Sequence, residues 1–275
     1  MYIFVIMRIR PFLIIFSFFL SFTTNSQNSQ NTFVKNSFDS FQSGEWIKFR
    51  IHYGIFNACY ATIELNDTII NNKKLFKSTA VGRTTGLARL FFKVDDIYES
   101  IFEREFVKPI KSRRDIDEGG YTKDIEIDYD YINKKAIVND LKNNEIKYVT
   151  IKQNVQDIIS TFYFLRNHFD IKKLTENDFI NITMFFDAEN YDFKMKFIGY
   201  ENVKTKFGVV NCLKFEPYIQ SGRVFGDSGD LYLWVSNDQN KIPIKIEADL
   251  RVGSIEADID GFKGLKHPFK IKIDD

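Results

Sequence analysis

From Glu45 onward, apolar and polar residues alternate with a period of two, the pattern of a β-strand with one buried face. Ile47, Phe49, Ile51 and Tyr53 fall on one side of the first strand, with Lys48, Arg50 and His52 on the other. Gly54 interrupts it, and Cys59, Ala61, Ile63 and Leu65 resume the alternation against Thr62 and Glu64. The turn-forming pair Asn71-Asn72 leads to a third strand over 75–81. Further strands are expected at 95–105 and 111–116, with Pro109 as a boundary. Gly119-Gly120 opens the clearest alternation in the chain. Tyr121, Ile125, Ile127, Tyr129 and Tyr131 face one way, and Asp124, Glu126, Asp128 and Asp130 the other. Those carboxylates require a solvated face, because unpaired charges are not buried together. Asn133-Lys134 and Asn143-Asn144 separate strands at 135–141 and 145–151. The second half repeats the pattern at 180–186, 191–197 and 207–215, then in a three-stranded block over 229–257. The tail after Gly261 is expected to add a last edge strand.

Two segments break the period. Thr84–Phe92 places Leu87, Leu90 and Phe91 at helical spacing, with Thr84 or Thr85 as the cap. Residues 154–169 predict the one strong helix. Val155, Ile158, Ile159, Phe162, Leu165 and Phe169 form its apolar stripe, Asn154 its cap, and Asp157 stands in its first turn. Such a stripe must lie against another surface, and a curved sheet offers one. The expected fold is therefore all-β and mostly antiparallel. It is a strongly curved sheet or half-open β-barrel with one packed α-helix at about 154–169.

Composition sharpens this picture. Hydrophobic residues make up 44% and charged residues 27%, ordinary for a globular chain, but Phe 29 and Tyr 13 exceed what a helical bundle carries. Arg8 and Arg10 precede an apolar run at 11–22 that is about half the roughly 20 residues a spanning helix needs. This pattern predicts a signal peptide over 1–26, cleaved before Gln27 after the small residues Thr24 and Ser26. An uncleaved anchor is the competing reading, and Met7 is an alternative start. No cysteine follows the run, so the expectation is a periplasmic or secreted protein that is neither a lipoprotein nor membrane-spanning after cleavage. Residues 27–43, rich in Ser, Asn and Gln, read as a flexible linker, with a single β-rich domain over 44–275. Loss of Arg8 and Arg10 leaves 36 basic against 37 acidic residues, a balance that argues against a nucleic-acid partner. A transmembrane barrel fits poorly, since the strands carry charge on both flanks and the chain ends Ile-Asp-Asp.

Candidate chemistry is sparse. His52, His168 and His267 share no metal-ligand spacing, and no nucleophile, phosphate-binding or zinc motif occurs. Asp227-Ser228-Gly229-Asp230 has turn composition. Cys59 and Cys212 both fall in expected strands, and two isolated cysteines do not establish a bridge. No catalytic residue, metal or cofactor is therefore assigned. Two features carry more. The aromatic surplus fits either a large core or an open apolar cavity for a lipid or other hydrophobic ligand, for which roughly 300 Å³ is the lower bound. Arg83, Arg89 and Phe162 are the residues offered as cavity or head-group contacts. In the closing block, Trp234 is expected to anchor the core and Asp238 to shape a turn. Pro243 is expected to mark a bulge or edge, and Gly253 to relieve a bend.

The chain resembles the DUF3108 family of exported bacterial proteins of unknown function. The resemblance rests on Gly44-Glu45 before an aromatic strand, Asp96-x-Tyr98-x-Ser100, the Gly120 strand start, and Asp157-x-x-Ser160-x-x-Tyr163-x-x-Arg166 on the helix. Cys212 followed by Pro217 fits a further family strand. Its most specific part is the closing block of Trp234, Asp238, Ile242-Pro243 and Val252-Gly253-Ser254. It covers roughly residues 44–260 and implies an envelope location and a β-rich fold, without catalytic residues to transfer. The expected role is non-enzymatic binding or carriage of a hydrophobic ligand. The alternatives are a structural or assembly factor, meeting an envelope protein partner through a sheet edge, and an uncharacterised enzyme.

Overall fold

The alternating segments form one antiparallel sheet in a computed structural model that describes residues 35–219, 231–249 and 253–272. The first half contributes β1 (Trp46–Tyr53), β2 (Phe56–Ile70), β3 (Lys73–Thr84), β4 (Asp95–Glu103), β5 (Pro109–Glu118), β6 (Tyr121–Asp130), β7 (Lys135–Asp140) and β8 (Glu145–Thr150). The second contributes β9 (Phe179–Phe186), β10 (Glu189–Thr205), β11 (Gly208–Ile219), β12 (Leu231–Ser236), β13 (Pro243–Asp249) and β14 (Ser254–Lys263). The order across the sheet is β8-β7-β6-β5-β4-β3-β2-β1-β14-β13-β12-β11-β10-β9. The chain thus starts at the centre, walks to one edge, crosses to the other, and walks back until β14 pairs with β1. Short turns make several of the steps, such as β2 to β3 and β5 to β6, and the step from β3 to β4 carries a short helix. Asn71 and Asn72, with φ of 49° and 61°, make the tight turn whose twist matches the flanking strands.

The crossing carries α2 (Ile158–His168). Before it, Gln156 adds a parallel bridge to the outer side of β9. Its amide donates to Thr183 O at 2.9 Å, and its carbonyl accepts from Phe185 N at 2.8 Å. Asn190 Nδ2 donates to Thr150 O at 2.8 Å. The two edges approach along this seam without closing into a barrel. Asn154 is not the helix cap: its φ of +65° sets it outside the helix, in the turn that leads to the bridge. Asp157 caps instead. Its carboxylate accepts from Ser160 N at 2.7 Å, while Ser160 Oγ accepts from Asp157 N at 2.9 Å.

The expected linker is corrected for its described part, residues 35–43. Phe41 is buried, 4.8 Å centroid to centroid from Tyr163, and Ser40 Oγ donates to Arg166 O at 2.8 Å. Ser37 and Phe38 donate to Asn167 O at 3.1 and 3.0 Å. Apolar burial and satisfied backbone groups tie this stretch down, which its polar composition did not reveal. Residues 1–34, and with them the expected signal peptide, lie outside the described residues.

The tail is corrected too. Among its described residues it adds no edge strand: Leu265, Phe269 and Ile271 pack on the main core, and Lys272 makes one antiparallel bridge to Val209. The segment at 84–92 forms α1 (Gly86–Phe91), which buries none of its residues. The acidic row on β6 is matched across the ladder by β5, where Arg113 forks onto Asp124 at 2.9 and 2.8 Å and Lys111 pairs with Glu126. Cys59 on β2 and Cys212 on β11 are free thiols with four strands between them, beyond disulfide reach. Burial pushes both up, Cys212 to about 12.

Candidate functional site

Helix α2 has one polar buried side and one apolar side, and each meets a different part of the sheet. On the polar side, Arg166 forks onto Glu45 just before β1, with Nη1–Oε1 and Nη2–Oε2 distances of 2.6 and 2.7 Å. Its Nε donates to Asn240 O at 2.8 Å and Nη2 also to Ser40 O at 3.1 Å. Both side chains are almost fully buried, so the fork and its extra acceptors are what make this ion pair tolerable. One turn earlier, Tyr163 is fully buried between Phe41 and Phe102, and its hydroxyl accepts from Ser78 Oγ at 3.2 Å. At the helix start, Ser100 Oγ donates to Asp157 Oδ2 at 2.6 Å. Burial pushes the Asp157 carboxyl up to about 6 despite these donors. Glu45, Ser100, Asp157, Ser160, Tyr163 and Arg166, scattered through the motifs that carry the family resemblance, are therefore one internal network that locks α2 to the sheet.

The closing block braces the same network from below. Asp238 Oδ1 accepts from Ser236 Oγ at 2.9 Å, Asn240 N at 2.9 Å and Lys241 N at 3.1 Å. That turn presents the Asn240 carbonyl to Arg166. Trp234 is buried, and its Nε1 donates to Glu201 Oε2 at 3.1 Å. Pro243 opens β13 opposite Val235, beside a break in register between Trp234 and Val235. Gly253 has a φ of +71°, and a Cβ there would come within 2.8 Å of the Tyr53 hydroxyl, so the position excludes side chains. The contacts of Trp234, Asp238 and Gly253 are structural, while Pro243 also lines the apolar pocket beside α2. Asp227–Asp230 lies outside the described residues.

On its apolar side, α2 leaves space. Phe162, Leu165 and Phe169 face Ile180 of β9, Met195 of β10, Phe215 of β11 and Leu233 and Val235 of β12, around a half-open pocket of about 80 Å³. Ile171 and Leu174 complete the rim. Only Arg166 and Lys241 bring charge to this lining. Arg166 is committed to Glu45. Lys241 is 5% exposed. Its Nζ donates to Phe169 O at 2.8 Å and lies 3.5 Å from the centre of the Phe38 ring. Burial pushes this amine down to about 8, against the attraction of Asp170 and with the repulsion of Arg166. Larger clefts have mixed linings: one of about 320 Å³ beside the Asn237 turn and the tail sets Val209, Val210 and Ile271 beside Asn211, Asp238, Lys270 and Lys272.

Of the three residues offered as cavity contacts, Phe162 lines the pocket and Arg83 and Arg89 do not. Arg89 forks onto Asp95 at 2.9 and 2.7 Å, and Arg83 stands 3.7 Å from the same carboxylate. Both arginines gather with Lys93 around the one Asp95 carboxylate, away from the pocket lining. The histidines are separate. His168 stacks on Phe164, and His267 Nε2 contacts Asp39 O at 2.7 Å. His52 meets two carboxylates from the neighbouring strand β14, an encounter hidden by more than 200 positions of sequence. Its Nε2 lies 2.8 Å from Asp258 Oδ2, with Glu256 close enough that the three could share an ion. Asp258 and Glu256 are already engaged by Arg50 at 3.4 Å and Lys245 at 2.8 Å. Sequence reasoning gave no role to Lys241 or Asn240, and named Glu45 only within a family motif, without its partner. Lone polar residues beside strands carry no local signal of burial.

The fold and its interior define a class: a strongly curved, open antiparallel sheet holding one helix inside it. The chain belongs to the DUF3108 family, described as a protein of unknown function, whose model matches residues 48–260. Among solved structures it is similar to a β-barrel-like protein of the domain of unknown function DUF1849 from Brucella abortus. That match has a TM-score of 0.53 and 9% identity, covering 83% of this chain and 100% of the other. At that identity the likeness bears on the fold alone. A Bacteroides fragilis protein designated as exported with a YmcC-like fold matches at TM-score 0.35 and 10% identity, covering 83% and 99%. A Parabacteroides distasonis protein designated a lipoprotein matches at 0.32 and 10%, with the same coverage. No curated protein matches the chain in sequence. Among the described residues no helix is long and apolar enough to cross a membrane.

Proposed function

We propose that this chain is an exported, non-enzymatic protein of the cell envelope that binds the apolar end of a small hydrophobic ligand between α2 and strands β9 to β12. The observation that carries the proposal is the pocket itself, an apolar, half-open gap in a sheet interior that α2 otherwise fills. Its volume of about 80 Å³ revises the expected carrier cavity. Whole lipids need several hundred Å³, so the occupant is a short alkyl chain or the end of a longer one. Arg83 of β3 and Arg89 of α1 take no part.

The other two readings have less support. Edge pairing needs a long, flat, unprotected strand. The edge strand β8 has six residues and carries Glu145 and Lys147, while β9 is partly covered by Gln156. For catalysis, titratable groups would have to converge in a cleft; the perturbed Asp157 is committed to capping α2.

The test is a methyl NMR titration of the folded protein with octan-1-ol. Saturable shifts at Leu165, Ile180, Leu233 and Val235 are expected, and Leu233→Phe, which fills the pocket, abolishes them. Shifts that never saturate, or that survive Leu233→Phe, would sink the proposal.

A further inference from the structure

Lys241 is a buried cation at the wall of an apolar pocket, and no ion pair involves it among the described residues. The nearby carboxylates hold other partners, and Asp170 acts on the amine only at a distance. Glu45 is held in the Arg166 fork. Asp170 caps the short 3-10 turn at Ile171–Lys173, accepting from Lys172 N at 3.1 Å and lying 3.7 Å from Lys173 Nζ. Asp238 holds the turn on which Lys241 sits. One hydrogen bond to Phe169 O, at the C-terminal end of α2, uses one of the three ammonium donors. The helix terminus and the Phe38 face supply partial negative charge to the amine. Neither is a full counter-ion, and a desolvated ammonium without one is costly. A neutral side chain would cap Phe169 at less cost, so the charge calls for another explanation.

We infer that the pocket takes an amphiphile with a single anionic head, the carboxylate of a short acyl chain, whose oxygen meets Lys241 while the chain lies against Phe162, Leu165, Phe215 and Leu233. This rests on the pocket proposed above and specifies its ligand. A carboxylate is favoured over a phosphate because, among the described residues lining the pocket, Lys241 is the one cation without an ion pair: the Arg166 guanidinium already carries Glu45, Ser40 and Asn240. The small apolar volume favours a short or single chain over a diacyl lipid.

The experiment compares octanoate, octan-1-ol and octyl phosphate by the same NMR titration at pH 7, in the native protein and in Lys241→Gln. Glutamine keeps a donor for Phe169 O and removes the charge, so the fold is retained, and the melting temperature checks this. Octanoate is expected to bind at least tenfold more tightly than octan-1-ol, and Lys241→Gln to erase that difference while leaving octan-1-ol binding in place. Equal affinity for the acid and the alcohol overturns the inference and spares the pocket. So does an octanoate preference that survives Lys241→Gln, or tighter binding of octyl phosphate than octanoate. Failure of all three to bind overturns the pocket and the inference together.

Discussion

The two sides of α2 differ in what they leave for a ligand. Arg166, Tyr163, Ser160 and Asp157 meet partners from the Ser40–Glu45 stretch, β3, β4 and the Asn240 turn, and every donor group of the Arg166 guanidinium is engaged. Phe162 and Leu165 on the same helix, with Phe169 at its C-cap, meet mostly apolar side chains and leave a gap. The first side needs directional bonds, because buried charge is tolerated only when its partners are placed to within tenths of an ångström. The second needs only burial, which is non-directional and tolerates space. One side therefore orients the helix, and its rigidity lets the other stay underfilled. In a helix held by packing alone, the side chains would settle inward and close the gap.

The largest break in this contrast is Arg166→Met. It strands the Glu45 carboxylate in the interior and should cost about 3–5 kcal/mol, read as a fall in the urea midpoint. Adding Glu45→Met should recover most of that loss. A single variant as stable as the native protein would mean that the network does not hold α2.

A smaller effect is set by pH. The Asp157 carboxyl is held at about 6 in the folded protein against 3.8 in the open chain. Between these values the folded state keeps a proton that the unfolded state has lost. Stability is therefore fully present below about pH 4 and falls as pH rises through about 6, by roughly 2–3 kcal/mol at 1.36 kcal/mol per unit. Asp96, pushed up to about 6 first by burial and then by Glu118, adds a more solvent-screened part with the same sign. Urea midpoints from pH 4 to 7 should fall, and Asp157→Asn, which keeps a capping side chain, should flatten most of the slope. An unchanged slope would show that the helix start is not where the proton is held. The smallest effect is expected on the apolar side. Leu233→Phe enters existing space and should change stability by less than about 1 kcal/mol, whereas a filled core would lose about 1–3 kcal/mol to overpacking.

How legible these regions were follows from how local their signals are. Strands β1, β6, β9 and β10 could be read from alternation because a pleated strand repeats every two residues. The apolar stripe of α2 could be read, but its start was misplaced. Val155 continues the stripe but precedes the helix, next to Gln156, which bridges to β9. Residues 35–43 looked like linker because Ser, Asn and Gln dominate them, yet Phe41 is among the most buried side chains. Arg89 looked free until Asp95 was found six positions away across the α1 turn. Phe162 was chosen for its place on the stripe and does line the pocket.

By itself, then, the order of residues determined an antiparallel β fold with one internal helix, the family, and the absence of any recognised catalytic motif. Those properties rest on short-range periodicity and on motifs read along the chain. Only the tertiary structure decided that Glu45 pairs with Arg166, that the chain before β1 enters the core, that Lys241 is buried without an ion pair among the described residues, and that the gap beside α2 is small. Each is a meeting of residues separated by tens to hundreds of positions, and burial and charge pairing are set by what arrives from elsewhere in the sheet.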